Sequence, residues 1–538
     1  MIKNYLKKRK NKYIRNLMRG YRNLSQSGKI YKIADLKRQL TISKLKLGFF
    51  SDRILSDSLD DYEIVIRQYL LTRFASINLN KAILYGNRKS NGKLVFPLPK
   101  LWRDIVEENG LKVAKYRCML LWQMTLVCYF FYGVLFIFKK IYASLIVCFF
   151  YKKSTPENYI YFFSLKENNI SVSSDEKNIY NMISWYSNWN GRASSIEVIC
   201  HDVNVATKSL RGNLSLQYMP SATPPLGSLF EITHFLRWSI GAIFISLFDL
   251  LRGRWWHVLL LQESAKSALI RLQKKSLAKE YFFHNSEWIY RPLWTYEAER
   301  KGAEITFYFY STNIEGFKRD ENAPHKYHYG YQSMNWPRYL VWNECQADFV
   351  RRVNIYIPEI VNVGPIWFED TSEATILLPP NGVAVFDVQP VRDCFYKMLC
   401  IDFDYYIPEN CNQFIIDVYA ELTEADCNLM LKQKRKLGKL IHPRYKKHIN
   451  RLNMKSNFII INAEISPIKI IEKAIAVISM PFTSTALLAK DLGKPSIYYD
   501  PFGIIKQDDG ASHGIQIVTG RKELKKWVDE VAQKNINH

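Results

Sequence analysis

The chain has 538 residues, of which 48% are apolar, and this length favours two globular domains with an additional segment over a single core. A formal net charge of +25 is concentrated at the start, where residues 1–46 hold about fifteen Lys or Arg against one acid, Asp35. The nine cysteines are scattered, which excludes a disulfide scaffold. The sequence has neither zinc-ligand spacing nor a recognition-helix pattern, so we predict no bound metal, no cofactor and no nucleic-acid partner.

Residues 1–117 are predicted to form a basic, mostly helical arm, followed by an apolar, membrane-associating segment at residues 118–151. The first 21 residues of that segment carry no charge and are long enough to cross a bilayer. Lysine pairs follow at 139–140 and 152–153, so a single crossing would carry a basic flank through the membrane, against the positive-inside tendency. We therefore expect a peripheral or monotopic anchor on the cytoplasmic face of a bacterial inner membrane. The apolar residues 238–251 are interpreted as a buried helix.

Beyond the anchor, apolar strands alternate with helices in two successive units, at residues 152–378 and 379–538. In the first unit the predicted strands are YIYFFSL, SSIEVICHDVN, WWHVLLLQ, KEYFFHNS and AEITFYFYSTN. In the second they are GVAVFDVQP, GKLIHP, FIIINAE, AIAVISM and PSIYYDP, with PENCNQFIIDVYAELTEADCNLMLKQKRK as a helical segment. This alternation predicts an α/β protein of two doubly wound, Rossmann-like domains, which face a crevice at the carboxyl ends of their strands.

The run AIAVISMPFTSTALLAKDL predicts a buried strand, a hydroxyl-rich turn and a helix. Pro481 ends the strand, and Thr483, Ser484 and Thr485 supply hydroxyls where the first helical N–H groups have no internal partner. Such a turn binds a phosphate readily, although an ordinary capped helix has the same pattern. A second candidate phosphate-binding motif lies some forty residues upstream, at the start of a strongly basic stretch. Its residues are His442, Pro443 and Arg444.

MPFTST resembles the signature of the bacterial polysaccharide-biosynthesis family named for its PFTS motif. The layout of residues 380–505 is also similar to that of sialyltransferase-like, CMP-sugar-dependent transferases of the two-domain GT-B fold. In those enzymes a His-Pro motif and a Ser/Thr motif contact the phosphate of the cytidine nucleotide. The resemblance implies the same roles here for His442, Pro443, Ser484 and Thr485, with Thr-Ser-Thr in place of paired serines leaving open which hydroxyl makes the contact.

The resemblance implies a metal-independent glycosyltransferase that moves an acidic sugar from a CMP-sugar donor to a polysaccharide or lipid-linked glycan in capsule or O-antigen synthesis. Residues 152–378 would then form the acceptor domain and residues 379–538 the donor domain. Three alternatives remain open at this stage. They are a CDP-glycerol-type polymer transferase, a transferase that uses a UDP- or GDP-sugar, and a non-catalytic scaffold of a polysaccharide assembly complex.

Sugar transfer needs a base that takes the proton of the acceptor hydroxyl, and carboxylates near strand ends in the first unit are the candidates. Glu297 is the first choice and Asp202 the second, with Glu287 and Glu299 behind them, although each could simply cap a helix. In the second unit, four residues are predicted to line the crevice, namely Asp387, Gln389, Arg392 and Tyr499. The pairs Asp402/Asp404 and His325/His328 are interpreted as a solvated strand face and a crevice loop.

Overall fold

The computed structural model describes residues 2–30, 32–43, 62–150, 156, 158–165, 185–186, 198–203, 208–209, 215–252, 255–273, 277–284, 288, 290–309, 330–331, 334–364, 378–391, 405–433, 441–463 and 465–536. Within these ranges the chain forms a helical region followed by two α/β domains. The two sheets confirm the predicted fold class.

Five helices precede the long apolar helix and share one hydrophobic core. They are α1 (Ile2–Gln26), α2 (Lys32–Ile42), α3 (Tyr62–Arg73), α4 (Ile77–Gly86) and α5 (Lys100–Glu108). Their buried side chains, such as Leu36, Leu70 and Trp102, pack together with Leu293 of the first α/β domain. The region is helical as predicted, and its helices pack around this shared core.

Three apolar helices connect this helical region to the first sheet. They are α6 (Lys115–Phe150), α7 (Leu229–Leu251) and α8 (Trp256–Leu272). Helix α6 is continuous through Lys139 and Lys140, because the Nζ of Lys140 turns inward and donates to the carbonyl of Thr223 at 2.7 Å. Helix α8 contains the segment WWHVLLLQ, so the prediction of a strand there was wrong. An apolar run of this length is compatible with either structure, and here six of the eight residues are buried.

The first sheet has the order β3-β4-β2-β1-β5-β6-β7-β8, and all pairs except β3–β4 are parallel. Strand β1 is central. Strands β2 and β4 follow on one side of it, and β5 to β8 follow on the other, while β3 pairs with β4 at the edge. The strands are β1 (Tyr159–Phe162), β2 (Val198–His201), β3 (Lys208–Ser209), β4 (Ser215–Tyr218), β5 (Glu280–His284), β6 (Glu304–Tyr308), β7 (Arg338–Val341) and β8 (Glu359–Asn362). Its later helices are α9 (Trp294–Arg300) and α10 (Glu344–Val353).

The second sheet is entirely parallel and has the order β11-β10-β9-β12-β13-β14, which is the 3-2-1-4-5-6 order of a dinucleotide-binding domain. The strands are β9 (Gly382–Phe386), β10 (Asn428–Lys432), β11 (Phe458–Ile461), β12 (Ala476–Ser479), β13 (Ser496–Asp500) and β14 (Ile517–Thr519). The helices are α11 (Pro408–Glu424), α12 (Pro443–Leu452), α13 (Pro467–Lys473), α14 (Ser484–Asp491) and α15 (Gly520–Ile536).

Two predictions in this domain need correction or remain partly outside the described residues. The segment predicted as one helix around residues 408–436 contains strand β10, whose apolar residues pair with β9 and β11. Of the strand predicted at residues 438–441, only Ile441 is described, and it forms an isolated bridge with Val391. That bridge nevertheless brings the start of α12 to the segment that follows β9.

The carboxyl ends of the two sheets face each other. Asn343, two residues beyond the end of β7, accepts a 3.0 Å hydrogen bond at Oδ1 from Nδ1 of His513, which lies between β13 and β14. His513 is buried, and burial lowers its pKa to about 4, so this imidazole is neutral at pH 7. A neutral ring with a protonated Nδ1 donates to the amide oxygen, and this contact joins the rims of the two domains.

Candidate functional site

The strand order of the second sheet reverses between β9 and β12. Strands β10 and β11 are added on one side of this pair, and β13 and β14 on the other. Ligands of doubly wound sheets bind outside the carboxyl ends of the strands at such a point. The residues that follow the two strands are in contact here. Met480 donates its N–H to the carbonyl of Phe386 at 2.8 Å, and its sulfur accepts from the N–H of Val388 at 3.3 Å.

The turn after β12 reads Pro481, Phe482, Thr483, Ser484, and helix α14 begins at Ser484 as the sequence predicts. Phe482 has a positive φ of 62°, a strained conformation for a bulky residue that persists only where the surroundings enforce it. Two tyrosines do so here. Tyr406 donates to the carbonyl of Pro481 at 2.7 Å, and Tyr498 donates to the carbonyl of Thr483 at 2.8 Å. The turn is therefore held rigidly without any ligand.

The hydroxyls of this turn have different roles. Those of Thr483 and Thr485 lie 3.3 Å apart, and Thr485 also reaches the hydroxyl of Ser479 at 3.1 Å. Thr483 in addition donates to the carbonyl of Met480 at 2.9 Å, so these threonines brace the turn. The hydroxyl of Ser484 has no hydrogen-bond partner within the described part of the chain, and its side chain is half-buried. Ser484 is thus the hydroxyl that remains available to a ligand.

His442 caps α12, the second helix that begins beside this point. Its N–H donates to the carbonyl of Pro390 at 2.8 Å, and its Nδ1 accepts from the N–H of Arg444 at 3.3 Å. The accepting role of Nδ1 places the proton of the neutral ring on Nε2, where it is a donor. Pro443 and Arg444 are exposed on the first turn of the same helix. Both motifs therefore contact the short segment Asp387–Val391, one through Met480 and the other through His442.

Asp387 is the first residue after β9 and lies between the two motifs. Its side chain is 5% exposed, and its Oδ2 accepts a hydrogen bond from the hydroxyl of Tyr445 in α12. Oδ1 has no partner among the described residues. Burial raises the pKa of Asp387 to about 6, against the opposing effect of the Tyr445 bond. An unpaired buried carboxylate oxygen is costly, and it is satisfied if a ligand hydroxyl or amino group donates to it.

The first sheet contributes an acidic residue from the opposite side of the crevice. Asp202 follows β2 directly and is exposed, and its Oδ2 accepts from the N–H of Ser164 at 3.4 Å. Ser164 follows β1, where the first sheet also changes direction, and has a positive φ of 55°. Trp288 donates through Nε1 to the Ser164 hydroxyl at 3.3 Å. Desolvation by neighbouring groups raises the pKa of Asp202, and the Ser164 bond opposes this effect.

Two predicted site residues lie elsewhere. Glu297 is fully buried in α9 and pairs with Arg300 at 2.9 Å and Arg271 at 3.6 Å, so no acceptor reaches it. The prediction that it is the base does not fit this placement. Tyr499 is also fully buried and donates to Asp417 at 2.8 Å, on the side of β13 away from the turn. Its neighbour Tyr498 contacts the turn instead, because adjacent residues of a strand point to opposite faces.

The remaining predicted residues lie between the two motifs or outside the described residues. Gln389 is half-buried in the segment between the two motifs. Six candidate residues lie outside the described residues, namely Glu287, His325, His328, Arg392, Asp402 and Asp404. Sequence reasoning missed the residues that brace the site, including Ser164, Tyr406, Tyr445 and His513. Nothing in the sequence marks them, because each is paired with a residue distant in the chain.

Comparison with known proteins adds a family to this geometry. The family model described as "Polysaccharide biosynthesis PFTS motif protein" matches residues 238–528, more than half of the chain. The chain belongs to this polysaccharide-biosynthesis PFTS-motif family. The motif that gives the family its name is Pro481–Ser484, the turn at the point where the second sheet changes direction. No curated protein matches the sequence.

Solved structures similar to this PFTS-motif protein include UDP-GlcNAc 2-epimerase from Methanocaldococcus jannaschii, with 11% identity, a TM-score of 0.33, and coverage of 71% of this chain and 91% of that one. The glycosyltransferase SnogD from Streptomyces nogalater has 12% identity and a TM-score of 0.33, with coverage of 71% and 95%. UGT2 from Phytolacca americana has 11% identity and a TM-score of 0.31, with coverage of 70% of this chain and 89% of that one. At these identities and TM-scores the likenesses carry no argument about activity.

Proposed function

We propose that this PFTS-motif protein is a glycosyltransferase that moves an acidic sugar from a CMP-sugar to a growing bacterial surface glycan. The observation that carries the proposal is the meeting of the Pro481–Ser484 turn and the His442 helix at the end of β9. Two helix N-termini, one serine hydroxyl and one imidazole then surround the site of a leaving phosphate. The family membership supports polysaccharide synthesis as the pathway.

In this proposal the donor phosphate is bound by the N–H groups of Ser484 and Thr485, which donate to no backbone carbonyl in the described chain. The Ser484 hydroxyl and the Nε2–H of His442 add two further donors. As the bond between the sugar and the phosphate oxygen breaks, negative charge grows on that oxygen. Donors that are already oriented stabilise this charge without reorganisation, which is how such sites accelerate group transfer.

Asp202 is the proposed base. As the acceptor oxygen forms its bond to the sugar, its proton passes to the Asp202 carboxylate, and the nucleotide phosphate departs with the electron pair of the broken bond. The raised pKa of Asp202 suits this role, because a base is most effective when its pKa approaches the working pH. The residue stands at the carboxyl edge of the first sheet, which faces the donor site across the crevice.

The choice of nucleotide is tested by thermal stabilisation of the purified full-length protein. We expect CMP to raise the melting temperature, and UDP and GDP at equal concentration to leave it unchanged, because a ligand that binds the folded state alone stabilises it. Support for CMP over UDP comes from the resemblance of the His-Pro and Thr-Ser-Thr pair to cytidine-nucleotide motifs. Stabilisation by CDP alone would favour a CDP-glycerol-type transferase, and by UDP alone a UDP-sugar enzyme. No response to any nucleotide would favour the scaffold.

His442→Ala tests the site itself. Loss of one hydrogen bond to a charged phosphate is expected to weaken binding of the stabilising nucleotide about tenfold or more, as measured by titration calorimetry. Lys447→Ala is the matched control, because Lys447 is exposed on the same helix one turn further from the site. Equal affinities for His442→Ala and the unchanged protein would contradict the proposed pocket.

A further inference from the structure

Helices α6 and α7 expose a continuous apolar surface, here called the apolar face. Both helices are long and apolar enough to cross a membrane. Large apolar side chains that would be buried in a soluble protein are well over a third exposed, for example Leu135 at 63% and Phe244 at 68%. The others on α6 and α7 include Leu120, Met124, Phe131, Phe138, Tyr142, Ile240, Leu247 and Phe248. Residues 238–251 are helical as interpreted but not fully buried, because five of the fourteen residues are exposed.

The opposite side of α6 packs on the protein along almost its whole length. Near the start, the thiol of Cys118 donates to the carbonyl of Leu94 at 3.4 Å. In the middle, a Cβ added to Gly133 would lie 2.7 Å from the side chain of Leu261 in α8, so the two helices touch closely. Near the end, the hydroxyl of Ser144 accepts from the N–H of Leu226 at 3.0 Å. Helix α6 thus lies on the folded body with one side outward.

This arrangement does not permit α6 to cross a bilayer. The helical region before α6 and the first sheet after it would then lie on opposite sides, roughly 30 Å apart. Helix α9, only seven residues long, connects their cores directly, because Tyr296 packs in the core of the helical region and Trp294 in that of the sheet. Val391 of the second domain also packs against the core of the helical region. Both ends of α6 are consequently on the same side.

The exposed charges carried by the two helices of the apolar face are basic, although Lys115 pairs with Glu107 of α5 at 2.9 Å. Helix α6 contains no acid, and the two acids of α7, Glu231 and Asp249, are buried at 8% and 5% exposure. The exposed charges on the two helices are Lys115, Arg117, Lys139 and Arg237, and the exposed Arg252 follows the end of α7. Basic residues around an apolar surface match a bilayer with anionic headgroups and not a second, equally basic copy of this chain.

We infer that the apolar face is a monotopic docking surface, with α6 and α7 lying in the plane of an anionic lipid bilayer and both α/β domains on the same side. This surface would hold the crevice beside the membrane, where a lipid-linked acceptor is presented. The inference does not depend on the nature of the nucleotide or on catalysis, because it follows from the outward side chains and from the packing of α6 and α9.

Two native cysteines allow a direct test. Cys128 is exposed on α6, and Cys345 is exposed on α10, away from the apolar face. The full-length protein is diluted from mild detergent into phosphatidylglycerol-containing vesicles or phosphatidylcholine vesicles and treated with a membrane-impermeant maleimide, and each cysteine is quantified by mass spectrometry. We expect labelling of Cys128 to fall at least tenfold with anionic vesicles and less with phosphatidylcholine, while labelling of Cys345 stays constant. Unchanged labelling of Cys128 overturns the inference.

Variants and a second label complete the experiment. Phe131→Glu/Phe244→Glu should lose flotation with anionic vesicles, whereas Met454→Glu, at an exposed apolar residue of the second domain, should keep it. Equal flotation of the unchanged protein, the double variant and Met454→Glu contradicts the inference. Lys89→Cys in the helical region should be labelled from outside the vesicles together with Cys345, whereas a spanning α6 would protect one of them. Concentration-dependent protection of Cys128 without vesicles would instead assign the apolar face to contact between copies.

Discussion

Asp202→Asn is expected to lower the turnover number of glycan transfer by about 10²- to 10⁴-fold, the usual contribution of a positioned general base. The amide keeps the size of the carboxylate and its contact with the Ser164 N–H but cannot take a proton. Initial rates at saturating donor and acceptor measure the loss. The pH profile gives a second measure. In the unchanged protein the rate should fall at acidic pH, with a midpoint above the ordinary pKa of Asp, because desolvation raises it. The variant should lack that dependence.

Affinity for the nucleotide should be the same in Asp202→Asn as in the unchanged protein, because the donor site lies in the other domain. The melting temperature should change little, since the side chain is exposed and has one weak hydrogen bond. Asp202→Glu, which keeps the carboxylate, is expected to recover part of the rate. Unaltered turnover in Asp202→Asn would exclude this residue as the base and leave the proposed donor site standing.

Glu297→Ala is expected to keep its turnover number but to lower the free energy of unfolding by about 3 kcal/mol. The carboxylate is fully buried and pairs with two arginines, so its removal leaves their charges without a partner. The loss stays at the lower end for a buried pair because Arg300 and Arg271 are partly exposed and reach water. Urea unfolding followed by tryptophan fluorescence measures the change, and turnover per folded molecule should remain.

Glu344, in the same domain, provides the control for this experiment. It is 67% exposed and pairs with Arg351, which is itself 51% exposed, so Glu344→Ala should cost less than about 1 kcal/mol. Normal unfolding of Glu297→Ala together with complete loss of turnover would restore Glu297 as the candidate base. The two predictions thus separate a carboxylate that reacts from one that supports the fold.

The sequence predicted the parts of the site that depend on neighbouring residues. A β-branched strand, a proline, and hydroxyl residues followed by helical spacing were sufficient to predict that β12 ends before Pro481 and that a helix follows Thr483. These features need only a few residues of backbone preference and capping, so they can be read from the chain directly. The start of α12 after His442 was not predicted, because sequence reasoning placed His442 only ahead of a basic stretch.

Sequence reasoning ranked Glu297 before Asp202, although local pattern gives little basis for a choice, because both follow a strand and begin a turn or helix. Burial decides between them, and burial depends on which helices cover the sheet. Arg271 on α8 closes over Glu297, while Asp202 is exposed beside Ser164. Similarly, one step along β13 separates Tyr498, which braces the PFTS turn, from Tyr499, which does not.

By itself, the sequence determined the α/β class, the phosphate-sized turn at Pro481–Ser484 and the basic, apolar character of the first 150 residues. These properties follow from composition and local spacing. The tertiary structure decided the strand order that brings Asp387, His442 and Ser484 around the end of β9, and the packing that turns one side of α6 outward. Both results depend on contacts between residues far apart in the chain, and such contacts form only when whole elements pack to bury their apolar surfaces.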